Sequence, residues 1–217
     1  TQGVSSAASD VYKRQIQGMP MNARTAARIA PLHESDPRSR DPVLEELVDF
    51  VGYRPNALLT MARKPGVVPA LLKLLSVTLR GDGQLTQALR FLIAAEAARG
   101  ARCRYTTTHL VHAAHHLGVG WDKLAALPSY RDDPRYTEQE RKALAIATAG
   151  GSLPVREPGQ AIDQARQVFS EEEIVEIVSC VAMVGWFNRW NGLMGSELEP
   201  MPSEALAHVP WLQDLEV

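Results

Sequence analysis

Two stretches of the chain, Thr137-x-x-Glu140 and Ser170-x-x-Glu173, carry the pattern in which a hydroxyl residue caps a helix and a glutamate three places on caps it back. Apolar residues follow each at helical spacing. No stretch alternates apolar and polar residues as a half-buried strand does. The first box predicts a helix through 149, stopped by Gly150-Gly151, and the second a long helix to about 194. Asp41 predicts another start, with Pro42 in the first position, Glu45 and Glu46 in the first turns and Gly52 as the stop. Further helices are predicted from 54 to 62, 69 to 80, 85 to 99, 103 to 117, 121 to 127 and 159 to 168. The fold class read from this pattern is all-α, a single domain of about eight helices.

Composition narrows the function classes. Lys and Arg number 23 against 25 Asp and Glu, so the net charge is −2 and no basic excess points to nucleic acid. The 217 residues hold two cysteines, which excludes a disulfide framework and a cysteine-rich zinc site. The most apolar run, 174–187, is interrupted by Glu176 and falls short of the roughly 18 residues a membrane helix needs. No membrane contact is expected, and a cytoplasmic location is. Residues 1–15 show no apolar period, and the string SSAASDVYKRQ resembles a translated sequencing adapter. They are expected to be a non-native or disordered tail that can be deleted with little effect. After it come an extended lead-in over 16–40, a helical domain over 41–199 and a C-terminal extension over 200–217.

The chemistry concentrates around Cys103. Gly100 ends one predicted helix and Cys103 opens the next, where the helix dipole and free N–H groups favour a thiolate. Arg99, Arg102 and Arg104 add positive charge nearby. A buried, inert cysteine at a helix junction is the plain alternative. Thr106 lies three residues from Cys103 and three from His109, so it can stand between them, whereas Cys103 and His109 are about 120° apart round an ideal helix. Glu96, about a turn before the junction, is a candidate proton-relay carboxylate. His109, His112, His115 and His116 cluster on one helix. His112 and His116 have a spacing that can hold zinc, but no acidic residue follows in that helix, so no metal is expected. Cys180, among Ile177, Val178, Val181 and Val184, is expected to pack in the core.

The segment Cys103-Arg104-Tyr105-Thr106-Thr107-Thr108-His109, followed by Ala113-Ala114-His115-His116-Leu117-Gly118-Val119, resembles the C-x-x-C-x-x-H helix of the carboxymuconolactone decarboxylase and alkylhydroperoxidase D-like superfamily. Phe169 to Val178, Asn188-Arg189-Trp190-Asn191 and Arg54-Pro55-Asn56 resemble its other elements, so the likeness runs from about 40 to 199. The resemblance implies an alkylhydroperoxidase D-like helical fold, a homo-oligomer and no cofactor. It implies that peroxidase members use two cysteines as a redox dithiol, the second attacking the peroxide, with a histidine and a glutamate moving protons. Other branches decarboxylate lactones and lack the dithiol. This chain has Thr106 where the second cysteine would stand, and Glu96 is off the usual relay spacing.

Three functional readings follow. In the first, Cys103 attacks a hydroperoxide, Thr106 and His109 (with Glu96) handle protons, and an outside thiol restores the enzyme in a peroxiredoxin-like, antioxidant cycle. In the second, His109 is the general acid–base of a cofactor-independent lyase, and Arg102 or Arg104, beside Tyr105, holds the carboxylate of a lactone. In the third, the protein is a catalytically silent helical scaffold.

Overall fold

The structure is a computed structural model and describes residues 27–215. The tail expected over 1–15 lies outside them. The described residues form ten α-helices and no strand: α1 (Pro42–Val51), α2 (Asn56–Met61), α3 (Val67–Leu75), α4 (Gln87–Gly100), α5 (Arg104–His116), α6 (Trp121–Ala125), α7 (Glu138–Gly151), α8 (Pro158–Ala165), α9 (Glu171–Met194) and α10 (Ala205–His208). None of them is long and apolar enough to cross a membrane.

Local chemistry accounts for the helix starts. The Asp41 side chain accepts the Val43 N–H and Pro42 occupies the first turn, where its missing N–H costs nothing. Gly52, at φ 83°, ends α1 in the left-handed region that glycine enters without strain. Both capping boxes close reciprocally, at Thr137 and Glu140 and at Ser170 and Glu173. Each such cap is worth about 1 kcal/mol.

Helix α4 is the axis of the molecule. Every residue from Arg90 to Ala98 is buried, and α5, α7 and α9 pack around it. Leu92 and Ile93 have almost no exposure, and each contributes roughly 1.5–3 kcal/mol by leaving water. Charged residues share this core, Arg90 and Glu96 of α4 among them. Arg90 lies 3.4 Å from Glu176 of α9, whose other oxygen accepts the Gln84 N–H at 2.9 Å. Glu176 therefore interrupts its apolar run to tie α9 to the start of α4.

Two boundaries differ from the sequence expectation for identifiable reasons. The helix expected over 69–80 is α3 followed by a π-helical turn, Ser76–Arg80. Gly150-Gly151 does not stop α7, which runs through both. A Cβ on Gly151 would lie 2.5 Å from the Ala97 carbonyl oxygen of α4, and one on Gly150 would lie 2.7 Å from Val181 Cγ1 of α9. These glycines serve close helix approach rather than termination.

The described part of 200–217 packs onto α5 and α6 as short turns, with Ala205, Val209 and Leu212 fully buried and Trp211 Nε1 donating to the Leu124 carbonyl at 3.1 Å. Upstream of α1, Leu32 is buried and residues 37–40 form a 3₁₀ turn capped by Asp36.

Candidate functional site

The α4–α5 junction turns on Arg102, whose φ of 57° is unusual for a residue with a side chain. The turn delivers Cys103 to the N-cap of α5 in extended conformation. Its sulfur makes no capping bond to the helix backbone and instead lies 3.2 Å from Thr106 Oγ1, one turn on. Asn191 of α9 donates from Nδ2 to the same Oγ1 at 3.0 Å, and Ser196 Oγ donates to Asn191 Oδ1 at 2.7 Å. With one lone pair occupied by Asn191, the Thr106 hydroxyl is still able to donate to the Cys103 sulfur.

Beyond Thr106 opens a cavity of about 120 Å³. Leucines 47, 58, 75 and 79 with Phe91 and Phe187 make most of its wall apolar. Its polar groups are Thr106, His109, Tyr53, Tyr105, Asn191 and Arg80. An apolar cavity of comparable size is enough to hold a single small ring.

His109 sits 15 % exposed on this wall and is held from two sides. Its Nδ1 is 2.9 Å from the Tyr53 hydroxyl, and its Nε2 is 2.8 Å from Glu199 Oε2. Glu199 is buried at the end of the loop that follows α9. Its Oε1 accepts the Tyr105 hydroxyl at 2.7 Å and the Asn56 backbone N–H. Burial pushes the Glu199 carboxyl up to about 7, against the two donors that favour its charged form. Burial first, and then His112, pull His109 down to about 3. Burial, then the nearby Glu199, raises both the Tyr53 and the Tyr105 phenols.

These shifts have a measurable consequence for stability. The folded protein holds the Glu199 proton more tightly than the unfolded chain, so the stability this adds is complete below the ordinary value of 4.5 and is lost as pH rises through about 7. His109 and His112, lowered to about 3 and about 4, act oppositely: their contribution is present above 6.5 and lost as pH falls. Glu199→Gln should therefore enlarge the gain in unfolding free energy between about pH 5 and about pH 7 by about 2 kcal/mol. Urea titrations of both proteins at the two pH values check this.

The expected site residues divide. Tyr105, Thr106 and His109 share the cavity wall, and Cys103 touches it through Thr106. Glu96 is fully buried, but its oxygens take Arg99 at 2.7 Å and the Thr148 hydroxyl at 2.7 Å, which makes it a tie between α4 and α7 rather than a partner of the thiol. That pairing also occupies Arg99. Arg102 is exposed and reaches the Asp214 carbonyl at 3.3 Å, and neither it nor Arg104 lines the cavity. Cys180 is fully buried, donates to the Thr78 carbonyl at 3.3 Å and has its thiol pushed up to about 12 by burial. His115 stacks on Trp121 at 3.8 Å, and His112 and His116 face each other at 3.1 Å. No group of metal-binding side chains occurs among the described residues.

Tyr53 and Glu199 are site residues that the sequence did not single out. Tyr53 adjoins the quoted Arg54-Pro55-Asn56, but nothing in its spacing ties it to α5. Glu199 is one acidic residue between Leu198 and Pro200, and only the fold brings it to His109.

No family model matches the sequence, and no curated protein does. Solved structures do. The chain is 29 % identical to an alanine variant of the debrominase Bmp8, solved with 2,3,4-tribromopyrrole, at a TM-score of 0.77 over 83 % of this chain and 96 % of that one. A peroxidase-related protein from Ralstonia eutropha JMP134, described as an alkylhydroperoxidase AhpD core, is 21 % identical at a TM-score of 0.64, covering 80 % of this chain and 92 % of that one. A peroxidase-related protein from Silicibacter sp. TM1040 is 20 % identical at a TM-score of 0.70, covering 84 % and 96 %. With an all-helical fold shared over most of both lengths, the chain has the alkylhydroperoxidase D-like fold that its sequence resemblance led us to expect.

Proposed function

We propose that the protein is a peroxidase-related thiol oxidoreductase that uses a single cysteine. The observation that carries this reading is the 3.2 Å contact between Cys103 Sγ and Thr106 Oγ1, which ties a half-buried cysteine to a residue of the apolar cavity wall that also holds His109. The Cys103 thiolate attacks the outer oxygen of a small hydroperoxide. A sulfenic acid forms on Cys103 and the alkoxide leaves as an alcohol once protonated. Two equivalents of an outside thiol then return Cys103 to its starting state, releasing one water and one disulfide. The α5 terminus and the Thr106 hydroxyl support the thiolate; of the arginines expected to help, Arg99 is committed to Glu96.

The test is hydroperoxide consumption by the protein with excess dithiothreitol, using cumene hydroperoxide as substrate. Turnover that depends on Cys103 and persists in Cys180→Ser supports the reading, and consumption no faster than dithiothreitol alone contradicts it. Thr106→Cys should raise that turnover at least about tenfold, because it puts a sulfur where the resemblance places the attacking cysteine, with Cys103 within reach to resolve it. The same variant should lose two free thiols on mild oxidation without dimerising.

A second reading rests on the likeness to the debrominase solved with 2,3,4-tribromopyrrole. The cavity here is apolar and of ring size. Replacing a ring C–Br bond by C–H takes two electrons and a proton, which two thiols supply as they become a disulfide, with bromide released. Bromide release from 2,3,4-tribromopyrrole in the presence of thiol separates this reading from the first. Arg102 and Arg104, which the lyase reading needs as carboxylate ligands, lie off the cavity wall.

A further inference from the structure

Helix α9 has two unlike faces. One turns inward and carries Phe187 of the cavity wall and Asn191, which holds Thr106. The other leaves large apolar side chains in water: Val175 is 65 % exposed, Val178 43 %, Trp186 48 % and Leu193 73 %. These are four of the ten large hydrophobics exposed among the described residues, so the apolar excess is gathered on one helix rather than scattered singly as on an ordinary soluble surface. At 3.6 residues per turn all four lie within about 40° of Ala182, itself exposed, so they form one straight stripe.

The stripe is symmetric about Ala182. Val178 and Trp186 lie four residues before and after it, Val175 and Arg189 seven, and Glu171 and Leu193 eleven. Turned end for end about Ala182, the stripe therefore meets itself. Each Trp186 falls on the partner's Val178. Leu193 leans toward its own N-terminal turn, as helical side chains do, and so reaches the partner's Val175. Alanine against alanine at the crossing lets the two helices come close. The charged residues of the stripe, Glu171 and Arg189, are both exposed and opposite in sign. A parallel pair would stack each on its own copy, like charge on like. The antiparallel pair sets Arg189 one turn from the partner's Glu171, and its Nη1, which donates to the Gly185 carbonyl at 3.0 Å in the single chain, can turn toward that carboxylate.

We propose that this face of α9 is the interface of a two-fold homodimer, in which two copies of the chain pack antiparallel with Ala182 on the axis. The dimer is non-covalent in the native chain. Because the same patch serves both copies, the contact closes on itself and assembly stops at two. A face about 33 Å long on a helix about 10–12 Å across, hidden on both copies, comes to on the order of 1,000 Å², the least that a specific dimer needs. The surface lies on the opposite side of α9 from the cavity, and the proposal stands whether or not Cys103 reduces peroxides.

Sedimentation of the full chain from about 1 to about 100 µM tests it. Most chains should be paired at about 10 µM. Trp186→Glu should weaken association at least about thirtyfold, while its far-UV circular dichroism stays that of the wild type because the side chain is half in water already. Cysteine crosslinking in a Cys103→Ser background reads the register. Ala182→Cys should form a disulfide between chains on mild oxidation, since it would face its own copy within about 7 Å. Val175→Cys should not, since the two-fold sets its two copies about 21 Å apart. A chain still monomeric at about 100 µM, a Trp186→Glu protein that pairs as well as wild type, or an Ala182→Cys protein that does not crosslink overturns the proposal. A monomer that floats with phosphatidylcholine vesicles overturns it as well, and gives the stripe to a lipid surface.

Discussion

Gly151→Val should destabilise the protein by about 3 kcal/mol or more, lowering the melting temperature by roughly 6–12 °C for a chain of this size. The cause is steric and falls on backbone. The first carbon of any side chain at 151 would lie 2.5 Å from the Ala97 carbonyl oxygen and 3.0 Å from Ala97 Cα. Neither atom can swing aside as a side chain can, so α7 must move off α4, the helix on which the core is organised. Gly192→Ala makes the matching control. A Cβ there meets nothing within 4 Å, and the glycine lies inside α9. That substitution should stabilise by about 0.5–1 kcal/mol through the helix preference of alanine. Thermal melts of the two variants, followed by far-UV circular dichroism, check both signs. Equal melting temperatures would contradict the close α4–α7 crossing.

Cys103→Ser should reduce thiol-dependent hydroperoxide turnover at least about a thousandfold, the scale on which removing a nucleophile usually acts. Serine keeps the N-cap position and can still bond Thr106 Oγ1, so the fold and the cavity should survive. What is lost is the polarisable sulfur that breaks the O–O bond. Cys180→Ser should stay within about threefold of wild type, because that thiol is fully buried and faces the Thr78 carbonyl rather than the cavity. Initial rates of hydroperoxide loss for the two variants measure the contrast. If Cys180→Ser were the damaging change, the assignment of the reactive sulfur would be reversed.

The helices were legible because their caps are local. Asp41, Thr137 and Ser170 each act on residues two or three places away, so the sequence carries the whole interaction. Gly150-Gly151 misled because the partner that demands glycine there is Ala97, and a glycine needed for contact looks the same in sequence as one that ends a helix. The π turn at Ser76–Arg80 likewise has no local marker. In the site, Cys103, Thr106 and His109 were readable from spacing along α5. Glu96 was named because it is near in sequence, yet its carboxylate is committed to Arg99 and Thr148. The carboxylate that does face His109 is Glu199, beside Tyr105 from 94 residues further on, and Tyr53 arrives from 56 residues upstream. Tertiary packing alone brings these together, and no spacing rule reaches that far.

The most direct measurement is the chemical state of Cys103 after one equivalent of cumene hydroperoxide. The protein is exposed without reductant, trapped with dimedone, digested, and both cysteine peptides are weighed. The account predicts a dimedone adduct on Cys103, or one added oxygen of about 16 Da if untrapped, with Cys180 unmodified and one alcohol formed per chain. An unmodified Cys103 with the hydroperoxide intact, or modification of Cys180 in its place, would contradict it.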